Sequence, residues 1–222
     1  MNIIFVLEII GAVAFALSGA FVAVQRKLDY FGIFVLALIT AVGGGMLRDI
    51  ILGITPPYMF RDPVYCTTAL VMAVMVILFN HFERLEIKKN HYNLLLKIIL
   101  VFDAAGLSIF SIIGANIALN RVGNNMFLAV FVGVLTGIGG GILRDIMAAR
   151  TPLVLRREIY AMASIFGCML YYYLRLIMND NFAIYISVAC IFAVRLWAVM
   201  RGMNLPSVRR FKVEDSTGWR KE

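Results

Sequence analysis

One stretch of this chain is written twice. Thr40–Pro56 reads TAVGGGMLRDIILGITP and Thr136–Pro152 reads TGIGGGILRDIMAARTP, and adding 96 to a residue number carries the first onto the second. Gly43, Gly44 and Gly45 fall on Gly139, Gly140 and Gly141, and Leu47-Arg48-Asp49-Ile50 falls on Leu143-Arg144-Asp145-Ile146. Each copy lies inside a long apolar run, roughly 30–55 and 126–151, which at about 1.5 Å per residue is long enough as a helix to cross a bilayer with some tilt. Each of three glycines in the middle of such a run weakens a helix by about 1 kcal/mol relative to alanine. They also strip the backbone of side-chain cover. Backbone released at that depth must be buried in protein or face a water-filled cavity. Paired interrupted helices in two halves of a membrane protein point to a transport site. The expectation is that helices two and five are broken at the triplets, around an ion path.

The rest of the chain sets the frame for those two helices. Of 222 residues, 62% are hydrophobic and 15% charged, too apolar a balance for a soluble domain. Apolar windows at about 3–24, 30–53, 63–82, 94–117, 126–149, 158–177 and 182–202 predict an all-α polytopic membrane protein of seven transmembrane helices. The runs are too long, and alternate too little, for barrel strands. No loop is large enough to hold a second domain. The reading is one membrane domain over 1–202: repeat one at about 3–83, repeat two at about 94–178 and a seventh helix at about 182–202. A basic cytoplasmic tail, 203–222, follows. The first window carries Glu8 and lacks a basic leader, so it is not a cleaved signal. Cys66, Cys168 and Cys190 have no paired spacing and read as small core residues. Basic residues collect on one side of the seven spans. The positive-inside rule therefore puts the N-terminus outside and the C-terminus in the cytoplasm. The net charge of +8 is topological on this reading, and no nucleic-acid partner is expected.

The duplication extends beyond the glycines. Glu8, Gly11, Phe15, Gly19 and Ala20 match Asp103, Gly106, Phe110, Gly114 and Ala115 at an offset of 95. Windows one to three therefore repeat as four to six. Because three is odd, the second copy enters from the opposite face, a 3+3 inverted repeat plus a seventh helix. Arg48-Asp49 then lie about 6–8 Å outside the glycine level, and Arg144-Asp145 a similar distance inside it. A bridge from Arg48 to Asp145 is not expected.

Charged groups within spans cost several kcal/mol unless paired or hydrated. Glu8 and Asp103 either line a cation route or pair with buried partners. Arg48 and Arg144 either pin their helices through salt bridges or gate a lumen. Asp49 and Asp145 point about 100° away from their neighbouring arginines and need not pair with them. The glycine triplets either break, releasing carbonyls to a partly hydrated ion, or pack closely. Lys97, Arg195 and Arg201 read as snorkelling cations, Tyr171–Tyr173 with Arg175 as an interfacial belt, and His81 and His91 as loop residues. No nucleophile–base pair, phosphate loop, metal cluster or dinucleotide fingerprint occurs, so neither an enzyme nor a cofactor or bound metal is indicated.

With a doubled GGG-x-x-RD motif, seven spans and a three-plus-three repeat, the chain resembles the prokaryotic branch of the trimeric intracellular cation (TRIC) channel family. That branch is also catalogued as uncharacterised membrane proteins or glycine transporters. The resemblance covers about 3 to 202. It implies a homotrimer among membrane lipids, with a pore in each protomer bounded by the second and fifth helices. Gly43–Gly45 and Gly139–Gly141 would be the kinks, and Glu8, Arg48, Asp49, Asp103, Arg144 and Asp145 the pore-lining or gating charges. It implies passage of K⁺ and Na⁺, chiefly potassium, each held only transiently, across a bacterial plasma membrane. The alternative is a secondary transporter of glycine or another small zwitterion. The basic lipid-binding motif of animal members has no clear match here.

Overall fold

A computed structural model describes residues 3–83, 89–156 and 159–201; the expected tail at 203–222 lies outside them. The helices are α1 (Ile3–Gln25), α2 (Tyr30–Ile51), α3 (Tyr58–Arg61), α4 (Val64–Glu83), α5 (Lys89–Val122), α6 (Met126–Met147), α7 (Leu153–Arg156), α8 (Ile159–Ile177) and α9 (Asp180–Arg201). Seven are long and apolar enough to cross a membrane, and α3 and α7 are single turns that follow α2 and α6. The chain is a multi-pass, all-helical membrane protein. Large apolar side chains such as Phe31 and Phe127 point outward, which a lipid surround tolerates and water does not. His81 and His91, expected in a loop, fall within α4 and α5.

The two copies fold by the same local rules. Asp29 caps α2, its carboxylate accepting from the Gly32 amide at 2.7 Å, and Asn125 caps α6, accepting from Leu128 at 3.0 Å. These short polar acceptors satisfy amides that the helix start leaves free. At the far ends Ile54 N–H donates to Asp49 C=O and Arg150 N–H to Asp145 C=O, with Gly53 and Ala149 in the left-handed region at φ 63° and 49°. That is the usual way an αL residue terminates a helix.

Packing follows the repeat as well. One core is built on α1, α2 and α4 around Phe15, Leu36 and Ala69. The other is built on α5, α6, α8 and α9 around Ile112, Tyr171 and Ile191. They meet through reciprocal contacts. Phe15 and Phe110 stack with centroids 5.4 Å apart, each against the other copy's glycine, Gly106 or Gly11. A Cβ on Gly44 would lie 2.1 Å from the Thr136 carbonyl oxygen, and one on Gly140 would lie 2.2 Å from that of Thr40. Gly43 faces the Leu143 side chain and Gly139 that of Leu47. Exchange of partners between copies is what a two-fold axis through the crossing generates.

The glycine contacts correct one expectation. α2 and α6 each run through their triplet as uninterrupted helix, so the carbonyls there stay in the helical ladder and are not released to an ion. The glycines instead let two backbones cross closely, with Cα hydrogens facing carbonyls across the interface. That is the way small residues join membrane helices.

Candidate functional site

Two charge clusters lie on opposite sides of this crossing, one per copy. In the first, the Arg48 Nε donates to Asp49 Oδ1 at 2.8 Å, and its Nη1 lies 3.7 Å from Glu8 Oε1. Tyr65 on α4 donates its hydroxyl to Glu8 Oε2 at 2.6 Å. Asp49 Oδ2 accepts from the Tyr58 amide, the first of α3, at 2.8 Å. Arg48 and Arg61 both approach the Tyr58 ring, at 5.7 and 5.3 Å. The cluster opens on a cavity of about 30 Å³ lined by Glu8, Gly45, Arg48, Tyr58, Tyr65 and Phe110, among others, room for one or two waters.

In the second, Arg144 is fully buried. Its Nη1 donates to Asp103 Oδ1 and to Ser18 Oγ of α1, both at 2.6 Å, and its Nε donates to Asp145 Oδ1 at 2.8 Å. Asp145 also accepts from Arg150 Nε at 2.8 Å and from the Leu153 amide, the first of α7, at 2.9 Å. Burial and the neighbouring Arg144 guanidinium lower the Arg150 pKa from its usual range. Tyr160 on α8 corresponds to Tyr65 at the same offset of 95, yet its hydroxyl has no partner among the described residues, nor does Asp103 Oδ2. Arg195 of α9 lies over the Tyr160 ring at 4.5 Å.

The clusters therefore gather all six charges singled out from the sequence, three in each. Arg48 and Arg144 bond to their own adjacent aspartates, a pairing the sequence left open. No bridge joins Arg48 to Asp145. Asp49 and Asp145 have both oxygens engaged, tying arginine, helix end and following turn together. Arg195 is 1% exposed and buried, so it does not snorkel. Its aliphatic stem never reaches a surface because Tyr160 receives the guanidinium inside the bundle. Tyr171 is likewise buried rather than interfacial, donating to Asp180 Oδ1 at 2.6 Å and accepting from Asn116 at 2.6 Å.

Sequence reasoning missed Tyr65, Tyr160, Ser18 and Arg195. For the tyrosines a signal existed, since carrying the 95-residue offset into the third and sixth spans pairs them. It also missed two basic residues read as topological. Arg26 donates to the Ala149 carbonyl at the end of α6 at 3.0 Å, and its mate Arg121 to the Leu52 carbonyl at the end of α2 at 3.4 Å. Each arginine caps the other copy's helix, where a cation suits both the free carbonyls and the helix dipole.

Known proteins resemble this chain in sequence and in fold. A family model described as glycine transporter matches twice, over residues 5–81 and 100–176. A UPF0126 membrane protein of Deinococcus radiodurans is 42% identical over 72% of this chain and 71% of its own length. The UPF0126 inner membrane protein YadS of Escherichia coli is 38% identical over 74% and 75%. The crystal structure of the TRIC trimeric intracellular cation channel orthologue from Rhodobacter sphaeroides superposes with a TM-score of 0.82. It is 33% identical, over 91% of this chain and all of that one. The chain belongs to the prokaryotic TRIC family. The double match on a TRIC-family chain falls on the halves that each carry one charge cluster, and leaves α9 outside both.

Proposed function

We propose that this TRIC-family chain is a monovalent-cation channel, permeable to potassium, with a path through each protomer of a homotrimer. It sits in the bacterial plasma membrane, N-terminus outside. The observation that carries this reading is the pair of carboxylate–guanidinium clusters on either side of the α2–α6 crossing, one of them open to a cavity. Ionisable groups at membrane depth mark ion pathways when they face the bundle interior. The likeness to a solved protein described as a cation channel supports the same reading.

On this reading Glu8 and Arg48 form the outer mouth. The path continues past Gly45 and Phe110 towards Asp103 and Arg144. Asp49 and Asp145 position the arginines. Arg144 engages the Asp103 carboxylate, so this form is closed, and opening requires Arg144 to release Asp103. At the glycine faces only the Leu47 and Leu143 side chains interlock with the facing helix, so α2 and α6 shift against each other by moving those two.

Planar-bilayer recording in asymmetric KCl tests the proposal. Unitary currents should appear, reversing towards the potassium potential. Glu8→Gln and Asp103→Asn should each move the reversal potential towards zero, Glu8→Gln more because its carboxylate lines the open cavity. Absence of unitary steps rejects the channel, and unchanged reversal in both variants rejects the assigned charges. One observation bears on the glycine-transporter alternative. Glu8 and Arg48 share a cavity and could hold an ammonium and a carboxylate. A space of about 30 Å³ admits waters rather than an amino acid. Saturable uptake of labelled glycine into liposomes without unitary current would favour that alternative.

A further inference from the structure

We propose that Arg195, on the seventh helix, sets the electrostatic asymmetry of the permeation path and makes the channel rectify. This rests on the channel reading above. The two repeats supply matching groups: a carboxylate from the first helix of each copy, an arginine and an aspartate after each glycine triplet, and a tyrosine from the third helix. The first cluster then holds Glu8 and Asp49 against the buried Arg48, with Arg61 exposed beyond the Tyr58 ring and donating to the Pro56 and Thr55 carbonyls. The second holds Asp103 and Asp145 against Arg144, Arg150 and Arg195. Arg150 occupies the place of Ile54 at the 96-residue offset, and its charge is engaged by Asp145 at 2.6 Å. Arg195 has no counterpart at all, because α9 lies outside the repeat.

The surroundings of Arg195 distinguish it from the other cations. It makes none of the ion pairs found among the described residues, and its Nε and Nη2 have no hydrogen-bond partner there. Its one strong contact is the face of Tyr160. A ring face holds a guanidinium without cancelling its charge. The hydroxyl of that same ring lies 2.8 Å from where a Gly141 Cβ would stand, a point 3.4 Å from Asp103 Oδ1 and 3.6 Å from Arg144 Nη2. Arg195 is thus a buried cation without an ion pair among the described residues, stacked on a side chain whose hydroxyl converges with Asp103 and Arg144 on the Gly141 position. A buried charge acts over several ångströms with little screening. It lowers the local cation concentration at the second cluster, the end read as cytoplasmic, so the current of cations entering there is the smaller one.

Single-channel currents of the full chain, recorded at opposite voltages in symmetric 0.1 M and 1 M KCl, test this in wild type and in Arg195→Gln, Arg195→Met and Arg195→Lys. The wild-type current ratio should depart from one by about twofold at the lower salt. It should fall towards one at the higher, where the Debye length shortens from about 10 to about 3 Å. Arg195→Gln should bring the low-salt ratio close to one and Arg195→Lys should keep it. Arg195→Met, which stacks on Tyr160 without charge, should match Arg195→Gln and serves if that variant fails to fold. A wild-type ratio of one at 0.1 M overturns the proposal with no variant needed, and so does an unchanged ratio in an uncharged variant. Failure of the channel reading gives a different result, no unitary steps from wild type.

Discussion

Around Arg48 the guanidinium stands 3.7 Å from its distant carboxylate, Glu8, beside a cavity. Around Arg144 the equivalent separation is 2.6 Å, the side chains are fully buried, and a serine from the opposite repeat closes the shell. The central groups correspond, save that Glu8 stands where the second copy has the shorter Asp103 and Ile54 where it has Arg150, so the difference comes from these exchanges and from what packs behind them. Behind the first cluster stand α3 and α4, with Tyr65 spending its hydroxyl on Glu8. Behind the second stand α8 and α9, with Tyr160 pinned under Arg195. Duplication supplies most of the charged groups; Ser18, Arg150 and the unpaired seventh helix surround only the sealed cluster.

The sharpest way to break this comparison is to remove each arginine in turn. Arg144→Gln leaves Asp103 buried without a cation and should destabilise by about 3–5 kcal/mol, seen as loss of monodisperse protein in detergent. Arg48→Gln leaves Glu8 near water and still bonded to Tyr65, and should cost about 1–2 kcal/mol. Equal losses would mean that the open cavity confers no relief. The third glycines come next. A Cβ on Gly141 meets Tyr160 Oη at 2.8 Å, so Gly141→Ala should cost about 1–3 kcal/mol. Gly45 has its nearest neighbour at 3.7 Å, so Gly45→Ala should be neutral or stabilise by up to about 1 kcal/mol. Thermal unfolding in detergent reads both. The tyrosines should differ in the opposite sense. Tyr65→Phe removes a bond to a carboxylate and should cost about 1–2 kcal/mol, whereas Tyr160→Phe deletes a hydroxyl without a partner and should change stability by less than about 0.5 kcal/mol. The smallest contrast lies at the helix ends. Gly53→Ala should cost about 1 kcal/mol at a positive φ, and Ala149→Gly should recover a comparable amount.

Much of this was legible because a membrane leaves few alternatives. Seven apolar runs can only be seven helices, and two copies at fixed offsets locate the charges that must find partners. Alignment of the copies matched Glu8 to Asp103 and Arg48 to Arg144, but not which carboxylate would meet which arginine, nor which cluster would open. The triplets misled because glycine weakens an isolated helix and yet permits the closest helix crossing. Which effect wins depends on whether a second glycine face arrives opposite, and that is a tertiary fact. Arg195 misled for a similar reason. Near a span end a long cation usually reaches out to water, and only the packing of α8 against α9 shows that a tyrosine ring intercepts it.

The reciprocity at the centre bears on how such a chain could arise. Gly44 meets Thr136 as Gly140 meets Thr40, so a single three-helix unit facing an inverted twin would make this same self-matching contact. Covalent fusion of the pair preserves the interface and removes the requirement that the halves be identical. A lone appended helix can then give one mouth a character the other lacks.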